Sequence, residues 1–374
     1  MDPIVVIGAG QAGASAVTEL REQGYAGPVT LIGAEPHLPY ERPPLSKGYL
    51  LGQDPLEKAF IHPQDWYAAH DVTLLLGEPV VGIDRAQSSV HTAHGSVSYA
   101  GLLLATGSRP RRLALADGSG VPTAYLRTIE DSDRIKAALV PGRRVVVIGA
   151  GWIGLEVAAA ARQADCEVTV FEMAQLPLLR VLGPRVATVF ADLHRSHGVD
   201  LRLDTRVTRE DLAGAQLVVV GVGVEPVLDL ADGAGLAVDN GVLVDAALRT
   251  TDPRIVAAGD IANHDHPLLG RVRVEHWDTA IEQGKHAART LLGEVEDYER
   301  LPYFFTDQYD LGMEYVGHGS ADDEVVIEGD AKGDAEGLAF RALWLRDGIV
   351  TAGMHVNDWD AIDEIRAAVG KPRT

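Results

Sequence analysis

The feature that most constrains this chain is a short pattern that occurs twice. Residues 4–7 (IVVI) are a β-branched run that leads into residues 8–13 (GAGQAG), and residues 145–148 (VVVI) lead in the same way into residues 149–154 (GAGWIG). A strand, a GxGxxG turn and a helix form the βα half of a dinucleotide-binding unit. Its glycines allow the tight turn, the approach of a pyrophosphate and close helix–strand packing. The sequence therefore predicts an α/β fold with two Rossmann-like dinucleotide-binding domains.

Each copy is followed by an acid at the expected distance. Glu35 and Glu172 each come after a second apolar strand, about 20 residues beyond the last glycine of their copy. A carboxylate there accepts hydrogen bonds from a ribose diol and repels a 2′-phosphate, so Glu172 predicts NADH rather than NADPH. The alternative for Glu35 is a strand-end acid that faces water.

Charge and cysteine content exclude several classes of function. The chain has 33 basic and 54 acidic residues, a net charge of −21, which disfavours binding to nucleic acid or to an anionic membrane. The single cysteine, Cys166, permits no intrachain disulfide, dithiol motif or cysteine-rich metal site, and we expect it to be buried. Histidine pairs such as His264 and His266 lack a metal-binding pattern, so no metal is predicted.

Two dinucleotide sites in one chain favour a tightly, non-covalently bound FAD and a diffusing NADH, because hydride must pass between two such rings. The N-terminus lacks the basic start of a signal peptide, and no apolar run reaches the length of a membrane span. We therefore expect a cytoplasmic protein.

Further motifs carry a family resemblance. Residues 102–110 (LLLATGSRP) and 255–262 (IVAAGDIA) look like the ATG and GD signatures of two-dinucleotide flavoproteins of the glutathione-reductase-like superfamily. More discriminating are residues 40–47 (YERPPLSK), 125–128 (YLRT), 221–226 (GVGVEP), 274–277 (VEHW) and 302–309 (PYFFTDQY). Together they resemble the NADH-dependent ferredoxin reductases of oxygenase systems, the relatives of putidaredoxin and rhodocoxin reductases.

The resemblance implies three domains. A discontinuous FAD-binding domain would comprise 1–112 and 245–298, an NAD-binding domain 113–244, and a small α+β interface domain 299–374. Within the last domain, the pattern predicts strands over 324–328 and 339–345 and a helix over 359–369.

The resemblance also implies site residues. The catalytic pair would be Lys47, close to the flavin, and Glu156, which moves near the flavin when nicotinamide enters. The FAD contacts would be Gly8, Gly10, Gln11, Ala12, Gly13, Glu35, Arg42, Lys47, Val81, Ala105, Thr106, Gly107, Arg127, Gly259, Asp260, Glu275, His276, Trp277 and Phe305. The NAD contacts would be Gly149, Gly151, Trp152, Ile153, Gly154, Glu156, Glu172, Gly221, Val222 and Gly223.

Some of these residues have plainer alternatives. Lys47 could be a solvated surface charge, Glu156 an acid that stabilises a helix N-terminus, and Trp277 a core side chain. Phe305 stands where relatives often carry a tryptophan, which weakens any role for an indole in electron transfer.

Without a cysteine pair, electrons must leave the flavin directly. The resemblance implies a separate acceptor, a [2Fe–2S] ferredoxin or a rubredoxin, which supplies a cytochrome P450 or a ring-hydroxylating dioxygenase. Alternatives are an NADH oxidase or quinone-type reductase, and a flavin-bound NADH sensor similar to apoptosis-inducing factor. Cations that could dock an acidic ferredoxin are Arg271, Arg273, Arg300, Arg341 and Arg346.

Overall fold

The computed structural model describes residues 2–331 and 337–373. Its strands are β1 (Ile4–Ile7), β2 (Val29–Gly33), β3 (Val72–Leu76), β4 (Val80–Asp84), β5 (Ser89–Thr92), β6 (Ser96–Ser98), β7 (Gly101–Leu104), β8 (Ser108–Pro110), β9 (Thr123–Ala124), β10 (Arg144–Ile148), β11 (Glu167–Phe171), β12 (Asp200–Arg202), β13 (Leu217–Val220), β14 (Val224–Pro226), β15 (Val242–Val244), β16 (Ile255–Ala257), β17 (Ala262–His266), β18 (Gly270–Val272), β19 (Tyr303–Gln308), β20 (Leu311–Gly317), β21 (Glu324–Asp330), β22 (Ala339–Arg346) and β23 (Ile349–Val356). Its α-helices are α1 (Gln11–Glu22), α2 (Gln64–Ala69), α3 (Ala114–Asp117), α4 (Ile129–Ala138), α5 (Trp152–Gln163), α6 (Leu179–Ser196), α7 (Asp229–Gly233), α8 (Trp277–Leu291) and α9 (Ile362–Ala368). Short 3₁₀ helices lie at Pro43–Ser46, Leu56–Ala59, Glu210–Leu212 and Gly259–Ile261.

The chain divides into two compact units, each built from separate stretches of sequence. The first unit contains the residues up to Glu41, Leu56–Arg109 and Glu225–Pro302, and the second contains Arg42–Pro55, Pro110–Val224 and the residues from Tyr303 onward. Residues 225–244, which we assigned to the NAD-binding domain, thus lie in the first unit. The division into three domains with separate roles stays a prediction.

The first unit is built on a parallel sheet with the strand order β16-β7-β1-β2-β3. All four residues of β1 are buried, as expected of a parallel strand that packs on both faces. Helices α1 and α8 approach each other closely, because a Cβ on Gly284 would lie 2.3 Å from the carbonyl oxygen of Ala12. Two smaller sheets, β4-β5-β6 and β15-β17-β18, complete this unit.

The second unit repeats this architecture. Its parallel sheet has the order β12-β11-β10-β13-β9, with β10 flanked by β11 and β13 as β1 is flanked by β2 and β7. An antiparallel sheet, β19-β20-β23-β22-β21, follows, and its buried side chains, among them Trp344 and Phe340, share a core with the parallel sheet. The predicted α/β fold with two dinucleotide-binding folds and a C-terminal α+β part is confirmed.

The C-terminal elements agree with the sequence pattern except at one end. Strands β21 and β22 include the predicted strands over 324–328 and 339–345. The helix predicted over 359–369 is shorter, because α9 begins only at Ile362 and Trp359 precedes it with 61% of its surface exposed.

The stretch Arg42–Pro55 is held in the second unit by α4. The Ser132 hydroxyl donates to the carbonyl oxygen of Leu45 at 2.8 Å, and the Tyr49 hydroxyl donates to Asp133 at 2.6 Å. Helix α4 begins at a capping box, in which Thr128 and Asp131 satisfy each other's backbone amides. A well-terminated helix therefore fixes the segment that carries Lys47.

Cys166 is fully buried, and burial raises the pKa of its thiol, as expected of a small core residue. No helix in the described ranges is both long and apolar enough to cross a membrane. Among those same residues, no group of three or more histidine, cysteine or acidic side chains is arranged to hold a metal ion.

Candidate active site

The first glycine motif forms an open cradle at the end of β1. A Cβ on Gly8 would lie 2.1 Å from the carbonyl oxygen of Ala105, and a Cβ on Gly13 would lie 2.0 Å from that of Gly8. Both positions therefore need glycine. A Cβ on Gly10, by contrast, would meet nothing within 4 Å in the described structure, apart from its chain neighbours. Gly10 is also the N-cap of α1, whose first amides lack a side-chain cap.

The second motif has the same geometry. A Cβ would lie 2.4 Å from the carbonyl oxygen of Gly221 at Gly149, and 2.0 Å from that of Gly149 at Gly154. Gly151, the N-cap of α5, again faces open space in the part of the chain that is described.

The two cradles fit a dinucleotide pyrophosphate. Each has its middle glycine at a helix N-terminus with room in front of the backbone, where amide donors and the positive end of the helix dipole favour an anion. Close packing against neighbouring carbonyl oxygens explains why the outer two positions of each motif are glycine. It does not explain the middle glycine, for which a bound ligand is the explanation.

An acid lies at the end of the second strand in both units. The Tyr40 hydroxyl donates to Glu35 at 2.5 Å. In the second unit, Glu172 accepts two hydrogen bonds of 2.8 Å, from the backbone amides of Ala150 and Ala174. Glu172 is therefore tied to the glycine loop itself, and both carboxylates are held in fixed positions.

A buried ion pair connects the 3₁₀ segment to α5 within the second unit. Lys47 Nζ lies 2.7 Å from Glu156 Oε1, and the two side chains are 17% and 3% exposed. Ser46 donates to Glu156 Oε2 at 2.5 Å, and Thr306 donates to Oε1 at 2.6 Å. The Lys47 ammonium also lies 5.3 Å from the centre of the Phe305 ring. Lys47 is therefore a held cation and not a solvated surface charge.

The predicted GD and ATG residues are linked in the first unit. Ser108 donates to the Asp260 carboxylate at 2.5 Å, and Thr106 donates to the carbonyl oxygen of Val227 at 2.9 Å. Gly259 has a φ of +77° and its amide donates to Gln283 at 2.9 Å, so this turn is fixed against α8.

Two of the predicted residues lie at the start of α8, where Trp277 interacts with the half-buried acid Glu41. His276 is the N-cap and Trp277 the first residue of this helix. Burial raises the pKa of Glu41, and a side-chain hydrogen bond with Trp277 opposes that rise. Arg273 forms an ion pair of 2.6 Å with Glu275. Two of the predicted residues therefore lie together at the N-terminus of α8.

Val81 lies apart from the glycine loop, on β4. It is 65% exposed and lines a cleft of 410 Å³ together with residues such as His91 and Asp229. Nothing in the cleft identifies a ligand, so the role of Val81 in FAD binding stays a prediction.

In the second unit, Arg42 donates to the carbonyl oxygen of Arg127. Ile153 and Val222 are 43% and 39% exposed although both are apolar, and Val222 belongs to the loop that packs on Gly149. Trp152 instead packs inward, with its ring 4.9 Å from that of Phe304. Exposed apolar groups beside an open glycine are consistent with a nucleotide that covers them.

The predicted contacts thus fall into two sets. The first unit holds Gly8, Gly10, Gln11, Ala12, Gly13, Glu35, Val81, Ala105, Thr106, Gly107, Gly259, Asp260, Glu275, His276 and Trp277. The second unit holds Arg42, Lys47, Arg127, Gly149, Gly151, Trp152, Ile153, Gly154, Glu156, Glu172, Gly221, Val222, Gly223 and Phe305. Lys47, Arg42, Arg127 and Phe305, predicted as FAD contacts, therefore belong to the same unit as the predicted NAD cradle.

Sequence reasoning paired Glu156 with Lys47 but missed its hydroxyl partners. Ser46 and Thr306 both bond to it, and Gln308 extends the same polar cluster. Thr306 and Gln308 alternate with more exposed residues along β19 and so share its inward face, but the sequence alone does not show which residues they contact. A buried polar pair on one strand face requires partners.

All five arginines considered for acceptor docking have acidic partners. The pairs are Arg271 with Asp265, Arg273 with Glu275, Arg300 with Asp278, Arg341 with Glu364 and Arg346 with Asp323, at N–O distances between 2.6 and 3.6 Å. Their charge is therefore largely compensated.

Two open pyrophosphate cradles on two parallel sheets define a two-dinucleotide oxidoreductase. The model of the pyridine nucleotide-disulphide oxidoreductases matches residues 2–284, and that of the reductase C-terminal domain matches residues 303–373.

Named relatives narrow this class. The chain is 43% identical over 345 residues to the anthranilate 1,2-dioxygenase system ferredoxin–NAD(+) reductase component of Burkholderia cepacia, covering 88% of this chain and 85% of that protein. It is 38% identical over 351 residues to putidaredoxin reductase of Pseudomonas putida, covering 88% and 83%. The solved covalent putidaredoxin reductase–putidaredoxin complex matches with a TM-score of 0.91 at 36% identity, over 98% of this chain and 91% of that one. The chain therefore belongs to the pyridine nucleotide-disulphide oxidoreductase family and, within it, to the ferredoxin reductases, which confirms the resemblance.

Proposed function

We propose that this chain transfers electrons from NADH, through a tightly bound FAD, to a [2Fe–2S] ferredoxin. The observation that carries the proposal is the pair of glycine cradles, each open at its middle glycine and each accompanied by a fixed carboxylate. The cradle of the first unit would hold FAD without a covalent bond, and the cradle of the second unit would hold NADH.

The reaction must convert a two-electron donor into one-electron steps. NADH gives up a hydride, which is two electrons and one proton, whereas an iron–sulfur acceptor takes one electron. One NADH therefore reduces two ferredoxins and releases one proton. Bound FAD supplies the conversion, since a flavin takes up an electron pair and releases electrons singly.

The chain's own residues bind, orient and supply charge. The N-termini of α1 and α5 would present backbone amides to the two pyrophosphates. Glu35 and Glu172 would accept hydrogen bonds from ribose hydroxyls. Lys47 would place a positive charge near the reacting rings, where negative charge develops on reduction, and Glu156 sets the position of that charge.

Two observations support the choice of electron acceptor, namely the cysteine content of the chain and the identity of its relatives. The chain has one cysteine, Cys166, and it is fully buried, so a cysteine pair of this chain cannot take electrons from the flavin. The relatives named above are a ferredoxin reductase and a putidaredoxin reductase. We propose that the ferredoxin in turn supplies a cytochrome P450 or a ring-hydroxylating dioxygenase. We also propose a cytoplasmic location, which fractionation of cells that express the chain would test.

The decisive experiment is an anaerobic titration of the flavin-loaded protein with NADH, followed by addition of a [2Fe–2S] ferredoxin. We expect the flavin absorbance to bleach and then to return as two equivalents of ferredoxin are reduced. Rubredoxin, a quinone and dioxygen serve as matched acceptors. Faster reoxidation by dioxygen or the quinone would favour an oxidase or quinone reductase. A stable long-wavelength band without transfer to any carrier would favour an NADH sensor.

A further inference from the structure

A line of buried polar side chains continues beyond the Lys47–Glu156 pair. Thr306 donates to Glu156 Oε1 at 2.6 Å, Gln308 Nε2 donates to Thr306 Oγ1 at 3.2 Å, and His194 Nε2 lies 2.9 Å from Gln308 Oε1. All of these residues lie in the second unit. Thr306, Gln308 and His194 are at most 1% exposed. The line thus joins α5, β19 and the last turn of α6.

The chemistry of each group sets the direction of every hydrogen bond. Gln308 Oε1 can only accept, so His194 Nε2 must carry a proton and donate it. The Gln308 amide nitrogen then donates to Thr306, which occupies a lone pair of that hydroxyl and leaves its single proton for Glu156. Glu156 is a carboxylate paired with Lys47 and accepts that proton's hydrogen bond. One arrangement of protons therefore satisfies the whole line.

The far end of the line is stable in one protonation state. Burial lowers the pKa of His194 to about 4, so the imidazole is neutral near pH 7. The Tyr309 hydroxyl lies 3.5 Å from His194 Nδ1, and the His197 ring stacks on Tyr309 at 3.6 Å. The charged groups that interact with the near end are Lys47 and Asp307.

This arrangement is more than the fold requires. An apolar set of similar volume would fill the same space without the cost of desolvating polar groups, and such replacements are often neutral or stabilising. The hydrogen bond that the line delivers ends on the oxygen that Lys47 also contacts. A hydrogen bond to a charged acceptor is among the stronger ones, and its loss allows the acceptor to rotate.

We propose that Thr306, Gln308 and His194 are positioning residues that hold the Glu156 carboxylate in place against Lys47, and that Gln308 sets the direction of the hydrogen bond it receives. This inference rests on the proposed function, because its consequence is a faster reaction with NADH. The three residues act through Glu156, and the reoxidation of the flavin by ferredoxin does not depend on them.

The test reverses the direction of the line without changing its size. In Gln308→Glu, an ionised carboxylate would accept from a protonated His194 and also from the Thr306 hydroxyl, which would then turn away from Glu156. If the introduced carboxyl group were instead protonated, it would donate to Thr306 and keep the native direction. NMR of ¹⁵N-histidine-labelled protein distinguishes the two states by the charge of His194, independently of turnover.

In Gln308→Glu, the rate of flavin reduction by NADH should depend on the charge of His194. With His194 charged, we expect this rate to fall roughly tenfold, the usual consequence of losing a hydrogen bond to a charged group. With His194 neutral, we expect the native rate. Flavin reduction in Thr306→Val should be slow whatever the charge of His194. Adding Gln308→Glu to Thr306→Val should change that rate of reduction less than about twofold, since coupled residues are not additive. Thr188→Ala, at an exposed position of α6 outside the line, is the control, and its flavin should be reduced at the native rate.

Two results would overturn the inference. One is a rate in Gln308→Glu that does not follow the charge of His194. The other is an equal loss from Gln308→Glu in the native and Thr306→Val backgrounds, which indicates a merely structural role. Circular dichroism verifies that each variant is folded. In Gln308→Met, Thr306 can still donate to Glu156, so flavin reduction should be faster there than in a Gln308→Glu variant whose carboxyl group is ionised. Absence of flavin reduction by NADH in the native protein contradicts the proposed function, whereas native reduction with unresponsive variants contradicts this inference alone.

Discussion

Glu172 Oε2 accepts a hydrogen bond of 2.8 Å from the backbone amide of Ala150, so the acid at the end of β11 is attached to the glycine loop at the end of β10. Its other oxygen accepts from the amide of Ala174, also at 2.8 Å. A carboxylate fixed in this way cannot move aside for a second negative charge.

We therefore expect a strong preference for NADH over NADPH. Like charges placed together cost several kcal/mol, so Glu172→Gln should lower the ratio of kcat/KM for NADH to that for NADPH by at least roughly tenfold. The amide oxygen of glutamine can still accept from Ala150, but its NH2 group cannot accept from Ala174, so the variant loses one hydrogen bond as well as the charge. An unchanged ratio, or a native protein that prefers NADPH, contradicts the assignment.

The glycines of the first cradle provide a matched pair of substitutions. A methyl group at Gly13 would lie 2.0 Å from a carbonyl oxygen, and we expect Gly13→Ala to destabilise the flavin-free protein by about 1–3 kcal/mol or more. Gly10→Ala meets open space and an extended backbone, so it should lower that stability by at most about 1 kcal/mol, the cost of alanine at an N-cap, and weaken FAD binding. Urea unfolding and flavin titration measure the two effects. Native FAD affinity in Gly10→Ala would argue against a pyrophosphate at this position.

Substitution of Lys47 and substitution of Glu156 should lower the free energy of unfolding by different amounts. Lys47→Met leaves a carboxylate that is 3% exposed without its cation, and we expect it to lower the free energy of unfolding by about 3 kcal/mol at pH 7. Glu156→Gln leaves a lysine that is 17% exposed and can hydrate, so it should cost less. Urea unfolding of the two variants at pH 7 measures both losses, and equal losses are the contrary result.

Buried histidines should make the fold sensitive to mild acid. Burial lowers the pKa of His194 and of His264 to about 4, against about 6.5 in the unfolded chain. The native state keeps both rings neutral while the unfolded state binds protons. The contribution of these two histidines to the free energy of unfolding is therefore complete above pH 6.5, and it is lost as the pH falls from 6.5 toward 4. Each accounts for about 3 kcal/mol over that range. Urea unfolding between pH 7.5 and 5 measures the slope, which should decrease in His194→Gln.

The paired arginines predict how an acceptor is recognised. Because Arg271, Arg300, Arg346 and the other candidates already contact carboxylates, they offer little net charge for steering. We expect kcat/KM for ferredoxin to change less than about threefold between 50 and 300 mM salt, a range in which steered association slows markedly. A steep decrease with salt would show that other cations guide the encounter.

Much of the fold and of both cradles could be predicted from sequence because the relevant contacts are local. A strand, its glycine turn and the next helix lie within about 20 residues, so β1 has its expected bounds and the outer glycines have their expected packing. The burial of Cys166 was likewise predicted from its place between a helix and an apolar strand.

What the sequence could not show is contact between distant residues. Ser46 and Thr306 reach Glu156 across 110 and 150 positions, and no periodicity reports such meetings. The same holds for the 42–55 stretch, which Ser132 and Asp133 draw into the second unit. Propensity describes neighbours in the chain, whereas these contacts depend on how whole elements pack.

The discontinuous first unit has a consequence for the order in which a ribosome makes this protein. Strands β1, β2, β3 and β7 emerge early, but the edge of β7 pairs with β16 and the surface of α1 packs on α8, which ends at Leu291. A nascent chain must therefore carry an open sheet edge from Leu104 until Ile255 is made, and an uncovered helix from Glu22 until Trp277 is made. Such surfaces invite aggregation. Slow translation or loss of a chaperone should therefore reduce the yield of this enzyme before it affects its activity.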